Sequence, residues 1–219
     1  MTPRVGGRPQ IVDRAQILAA ALELGVDNFS MHAVARKLGV SAAALYRYFG
    51  SREELLDACI DEFCSRLVLP ASSLHWTDYL RALGRNFRTA LQLTPGVHSY
   101  GIKVGPTTPS AFRIFDEALA VLIEAGIDEK QAWKAYGMIV DHAFHWEQKS
   151  EAFRELEKAN GPNGYRILQL TEEELEGFPH LAKALASVLP LDVEPAYEEQ
   201  LDVLVRGLES QIGSGANGE

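Results

Sequence analysis

The sequence predicts an all-α fold, a three-helix head joined by a linking helix to a larger helical body. Three observations predict it. Apolar residues recur at three- and four-residue intervals along most of the chain, with no convincing strand alternation. Capping residues and glycines punctuate these stripes at helix-length spacing. The 219 residues, 47% of them hydrophobic, suffice for one large domain or a small domain docked on a larger one.

In the head, Ile11, Ala15, Leu18, Ala19 and Leu22 form the stripe of a first helix, ended by Gly25. Ser30 caps a short second helix whose Val34 and Leu38 face inward and which Gly39 closes. Ser41 caps a third over residues 42–48, with Val40 and Leu45 anchoring it and Ala35 small where the two helices approach. Two short helices about a tight glycine turn, packed on a longer one, form a compact reader of the DNA major groove; an ordinary helical hairpin has the same outline. Ser51 and Glu54 fit a capping box that opens the linking helix, residues 51–69, closed by Pro70.

In the body, Trp76, Leu80, Leu83, Phe87 and Leu91 mark a helix stopped by Pro95-Gly96. Residues 97–109 read as a short helix and a loop, 110–125 as a helix, and 128–149 as the longest, with Trp133, Tyr136, Val140 and Phe144 on one side. A break over 159–164, a capping box at Thr171 and Glu174, and a short helix over 178–189 follow. Tyr197, Leu201, Leu204, Val205, Leu208 and Ile212 stripe a last helix. The domains expected are therefore 1–50, with an N-terminal arm over 1–8, then 51–213, and a flexible tail over 214–219.

The net charge of −9 argues at first against a nucleic-acid partner, but its distribution does not. Up to Arg52 there are seven basic residues against three acidic ones, a balance of +4, which leaves −13 for the rest. A basic N-terminal fifth on an acidic body is expected where that fifth alone meets phosphate. Cys59 and Cys64, five residues apart, point to different helix faces and read as packing residues in a reducing cytoplasm. No apolar run is long enough to span a bilayer, and Met1 to Gln10 does not read as a secretory signal. No nucleophile elbow, phosphate-binding glycine loop or His-Glu-x-x-His motif is present, so the chain does not read as an enzyme. His142 and His145 have a usable metal spacing but no clear third ligand, and no metal or cofactor is expected.

The stretch "LGVS…LYRYF", a short polar turn, an acid pair and "LLDA" resemble the DNA-binding domain of the tetracycline-repressor (TetR) family. The resemblance is dense over residues 9–60 and extends more loosely through "WTDYLRALGRNFRTAL" and "LAVLIEAGIDEKQAWKAYGMI" to the family's ligand-binding part. It implies operator DNA as a partner. It places Tyr46 on the DNA backbone and Arg52, where the family usually has Lys, on a phosphate. Ser30 and Ser41 have two open roles, capping alone or capping with phosphate contact. Arg47 and Tyr48 project from the third helix, and Ala42 and Ala43 offer methyl groups to thymine but no hydrogen bonds. Base readout is therefore expected to rest on Arg47, on His32, and on Arg4 or Arg8 from the arm in a minor groove.

The resemblance also implies an apolar effector cavity in the body. Its expected lining is Leu83, Phe87, Tyr100, Phe112, Phe115, Trp133, Tyr136, Gly137, Val140 and Phe144, with Asn86, His98, Lys103, Asp141 and His142 as polar anchors. The magnesium–drug-binding histidine of the tetracycline repressor aligns with Gly101, so a small apolar or aromatic effector is expected instead. Homodimerisation is expected through the 128–149 and 194–212 helices, reading a palindrome as a two-fold pair. Repression is the family's usual mode; activation, or a helical adaptor or enzyme without DNA binding, are the alternatives. The linking helix is the expected lever between effector and reader.

Overall fold

The computed structural model describes residues 12–161, 169–189 and 193–215, and every regular element in them is a helix. The expected arm residues Arg4 and Arg8 lie outside the described residues, as do 216–219 of the expected tail.

The head comprises α1 (Arg14–Leu24), α2 (Met31–Leu38) and α3 (Ala42–Leu45). Asp13 and Gln16 close a capping box on α1, each side chain bonding the other's backbone N–H. The buried face of α1 is Ile17, Ala20, Ala21 and Leu22, not the Ala15–Ala19 line that the sequence suggested. Alanines on both sides of this helix leave its stripe ambiguous until neighbours are packed. Ser30 caps α2 by accepting from Ala33 N–H, and Gly39 ends it in the left-handed conformation (φ 68°). α3 is shorter than the expected 42–48: Tyr48 N–H bonds Leu45 O, tightening the chain into a turn that carries Tyr46, Arg47 and Tyr48. Leu45 and Phe49 are fully buried, and Arg14 of α1 covers the Phe49 ring.

Helix α4 (Arg52–Arg66) leaves the head and enters the body. It stops at Leu67, which is already extended, rather than at residue 69. Leu69 precedes Pro70 and is itself pushed away from helical angles, so the last turn cannot form. The body is built from α5 (Trp76–Gln92), α6 (Val97–Val104), α7 (Pro109–Glu124), α8 (Glu129–Asn160), α9 (Glu172–Leu175), α10 (Pro179–Val188) and α11 (Val193–Gly215). α8 is the spine: α5, α6, α7 and α11 all pack on it. It runs eleven residues past the expected end at 149. Buried Glu147 and Ser150 keep it docked, and Glu147 accepts from Arg154 at 2.6 Å, holding the next two turns. α11 likewise continues through Ser214 and Gly215, the first two residues of the expected tail. None of the described helices is long and apolar enough to cross a membrane.

Where α5, α8 and α11 meet, Gly84 lets the backbones close up. A Cβ there would sit 3.0 Å from Leu201 and 3.2 Å from Ile139. The Tyr197 hydroxyl donates to Gly84 O at 2.7 Å. His142 lies flat on the Tyr197 ring, centroids 4.9 Å apart. Burial pushes the His142 imidazole below its ordinary value, and the Arg88 charge adds to this against an opposing backbone hydrogen bond at Tyr197. The unfolded chain then takes up a proton near pH 6.5 that the folded protein refuses. This contribution to stability is complete above that pH and is lost as pH falls through it toward the lower folded value. Melting curves from pH 8 to pH 5 are expected to fall less steeply for His142→Gln than for the parent. Parallel curves would remove His142 as a cause of acid sensitivity.

Candidate functional site

Two sites are built on this frame, a polar surface on the head and a cavity in the body. On the head, His32, Ser41, Ala43, Tyr46 and Arg47 are exposed, Ala42 and Tyr48 half-buried. Tyr46 is 48% exposed, although the flanking Leu45 and Phe49 are fully buried, so its phenol is held outward on a rigid base. Arg47 forms no ion pair with any described residue, which leaves its guanidinium for a partner outside the chain. The Ser30 oxygen is engaged as a cap, whereas Ser41 occupies the N-cap of α3 without a side-chain bond.

Arg52 requires a correction. Its Nε donates to Phe29 O (3.1 Å) and its Nη2 to Val26 O (3.4 Å), and the guanidinium lies over the Phe29 ring. The half-buried side chain ties α4 to the α1–α2 loop instead of reaching for phosphate. Arg14 plays a similar inward part, donating to Tyr48 O at 2.8 Å and covering the Phe49 ring.

The cavity holds about 300 Å³ between α4, α5, α6, α7 and α8. Of the residues expected to line it, Phe87, Tyr100, Phe115, Trp133, Tyr136, Gly137, Val140, Asp141 and Phe144 do so. Six do not. Leu83 is buried in the core on another face of α5. Asn86 points outward and donates to Val68 O at 2.7 Å. His98 is buried against α8, its Nε2 2.9 Å from Glu151. Phe112 is exposed on the outer side of α7. Lys103 is exposed, its Nζ 3.9 Å from Asp27, and His142 lies on the Tyr197 ring. Helical periodicity alone does not say which side of α5, α6 or α7 turns to the cavity.

Sequence reasoning did not single out Ile60, Phe63 and Cys64 as lining, because on α4 they read as ordinary core. Burial pushes the Cys64 thiol up to about 11 and Cys59 to about 12, so both stay neutral packing groups. Rings run continuously around the wall. Trp133 meets Phe115 at 4.6 Å, Phe115 stacks on Tyr136 at 4.2 Å, and Phe87 links Tyr136 to Phe63 and Phe144 at 6.1–6.3 Å. Burial drives the Tyr136 hydroxyl well above its ordinary value, so it stays a neutral donor. Gly101 has no room for a side chain: a Cβ there would lie 2.1 Å from the Phe144 ring. A side chain at that position would have to displace Phe144.

A second contact joins head and body besides α4. Val26 N–H donates to Pro95 O at 3.1 Å, and Gly96, in the left-handed conformation, lies directly against Val26 and Asp27. Gly96 is also the N-cap of α6, which contributes Val97, Tyr100, Gly101 and Ile102 to the cavity wall.

The family model for "Bacterial regulatory proteins, tetR family" matches residues 11–59, and that for "Tetracyclin repressor-like, C-terminal domain" matches residues 69–212. The chain belongs to the TetR family. It is thus one of a family of regulatory proteins rather than enzymes. An HTH-type transcriptional repressor of Mycobacterium tuberculosis is 25% identical over 142 residues, 60% of this chain and 54% of that protein. The chain therefore spans about half the length of the mycobacterial relatives it matches. The class A tetracycline repressor of Escherichia coli is 27% identical over 202 residues, 88% of each protein. In fold, the chain is similar to the TetR family protein ActR of Streptomyces coelicolor in complex with actinorhodin. That similarity has a TM-score of 0.73 at 20% identity and covers 93% of this chain and 98% of that one.

Proposed function

We propose that this TetR-family chain is a ligand-responsive DNA-binding transcription regulator of the cytoplasm, a repressor that leaves a palindromic operator when a small apolar or aromatic molecule enters the cavity. The observation that carries it is that the cavity wall is made partly of α4, through Ile60, Phe63 and Cys64, the same helix whose first residue is bonded into the head. A molecule pressing on Phe63 pushes the helix that carries the reader. The Gly96–Val26 contact gives α6 a parallel route. Ligand binding then favours the conformation in which two heads are wrongly spaced for successive major grooves. The heads are paired by a homodimer seam over the 128–149 and 194–212 helices. Exposed apolar Met138 on α8 and Val203 on α11 support that assignment.

Tyr46 and Arg47 are the side chains proposed to meet DNA, Arg47 with a guanine edge or phosphate and Tyr46 with the backbone. Arg47→Ala is expected to weaken operator binding by about 1–3 kcal/mol, roughly 5- to 150-fold, and Tyr46→Phe by less. Both variants should keep the dimer mass of the parent. Gel shifts with the DNA flanking the chain's own gene provide the measurement. Undiminished binding by both variants would dismiss this surface as the reader.

A further inference from the structure

The charge census of the cavity narrows its occupant, and this inference rests on the effector-cavity reading above. Asp141 is the one charged side chain among the described residues of the lining. No lysine, arginine or histidine appears among them. Asp141 lines the cavity where it opens to solvent: the residue is exposed, its carboxylate has no hydrogen bond or ion pair within the described chain, and its backbone oxygen accepts from His145 at 2.8 Å. Residues 133, 137 and 141 are spaced four apart and line one edge of α8, so Trp133 and Asp141 stand about 12 Å apart along the helix. Gly137 between them has no side chain, and a Cβ there would meet nothing within 4 Å. A slot therefore opens between an indole at one end and a carboxylate at the other, with the Phe115 and Tyr136 rings behind it.

An anion in this slot would meet the like charge of the Asp141 carboxylate and the negative faces of the rings. A neutral hydrocarbon would leave the carboxylate to water. A cation is attracted by both, through Coulomb attraction at Asp141 and through the ring quadrupoles. We propose that the cavity selects an organic monocation, a quaternary or protonated amine carried on a flat apolar body, with its charge between Asp141 and the aromatic wall.

The test compares three probes built on one naphthylmethyl body, the first two isosteric, on the full-length chain by calorimetry. They are 1-naphthylmethyl-trimethylammonium, its neutral carbon isostere 1-neopentylnaphthalene, and the anion 1-naphthaleneacetate. The cation is expected to bind at least roughly tenfold tighter than the neutral isostere, with the anion weakest. Asp141→Asn should lower the cation-to-neutral ratio severalfold, leaving the share that the rings supply, and added salt should weaken the cation more in the parent than in the variant. A neutral probe that binds as well as the cation, or a ratio unmoved by Asp141→Asn, overturns charge selection. The cavity itself still stands in that case, provided Gly137→Trp blocks the neutral probe. Binding of no probe, or binding indifferent to Gly137→Trp, overturns the cavity reading and the cation proposal together.

Discussion

Gly96→Ala is expected to lower the melting temperature by roughly 5–10 °C and to weaken the communication between cavity and head. Gly96 sits at φ +81°, where a residue with a Cβ carries about 1–2 kcal/mol of strain. The new Cβ would also lie 2.7 Å from Val26 N and 3.2 Å from Asp27 N. Those are backbone atoms, and Val26 N–H is itself bonded to Pro95 O, so neither side can rotate away. The α1–α2 loop must then lift off the start of α6. The sum of strain and lost docking, taken as 2–3 kcal/mol, corresponds to the stated shift for a chain of this length. Differential scanning calorimetry reads the first effect. Gel shifts titrated with ligand read the second, as a higher ligand concentration needed for release. A variant that melts with the parent would show that the head is held by α4 alone.

Gly137→Trp is expected to abolish the response to ligand while leaving the fold and operator binding in place. The position tolerates a side chain, since a Cβ there meets nothing within 4 Å. Glycine inside a helix costs up to about 1 kcal/mol relative to alanine, so replacing it does not threaten α8. The indole then occupies much of a cavity of about 300 Å³. At a hundred times its Kd a ligand stabilises the parent by about 2.7 kcal/mol, a rise of roughly 5–11 °C in Tm. The variant should show almost none of that rise. Gly137→Ala, which fills little of the cavity, should retain it and melt no lower than the parent. A full ligand-induced rise in Gly137→Trp would place the ligand elsewhere.

The head was legible where its signals are local. Ser30 and Ser51 cap their helices as their spacing indicates, Gly39 takes the left-handed turn, and Leu45 and Phe49 are buried while Tyr46 and Arg47 between them are exposed. These are local matters: a cap bonds three residues away, and a four-residue helix has one inner side. Arg52 was not legible in the same way. Its partners are Phe29 and Val26, more than twenty residues distant, and no local pattern reveals that a guanidinium folds back. The cavity was legible as an aromatic stripe on α8, since Trp133, Tyr136, Val140 and Phe144 share a face by period alone. The opposite walls were legible only in part: Phe87, Tyr100 and Phe115 line the cavity as expected, but α5 and α6 bury residues on several sides and the neighbour decides which side faces the void. That is why Asn86 and His98 were expected as anchors and instead satisfy Val68 O and Glu151.

The sequence by itself determined the helical class, the order and approximate lengths of the elements, the paired short helices of the reader and the aromatic face of α8. All of these follow from periodicity, caps and glycines acting within a few residues. Tertiary structure alone decided that α4 walls the cavity with Phe63, that Gly101 gives its space to Phe144, and that Val26 is bonded to Pro95. It also left Asp141 facing the cavity without a partner among the described residues. These are encounters between segments far apart in the chain, set by how helix faces interdigitate, and a one-dimensional pattern carries no record of which faces meet.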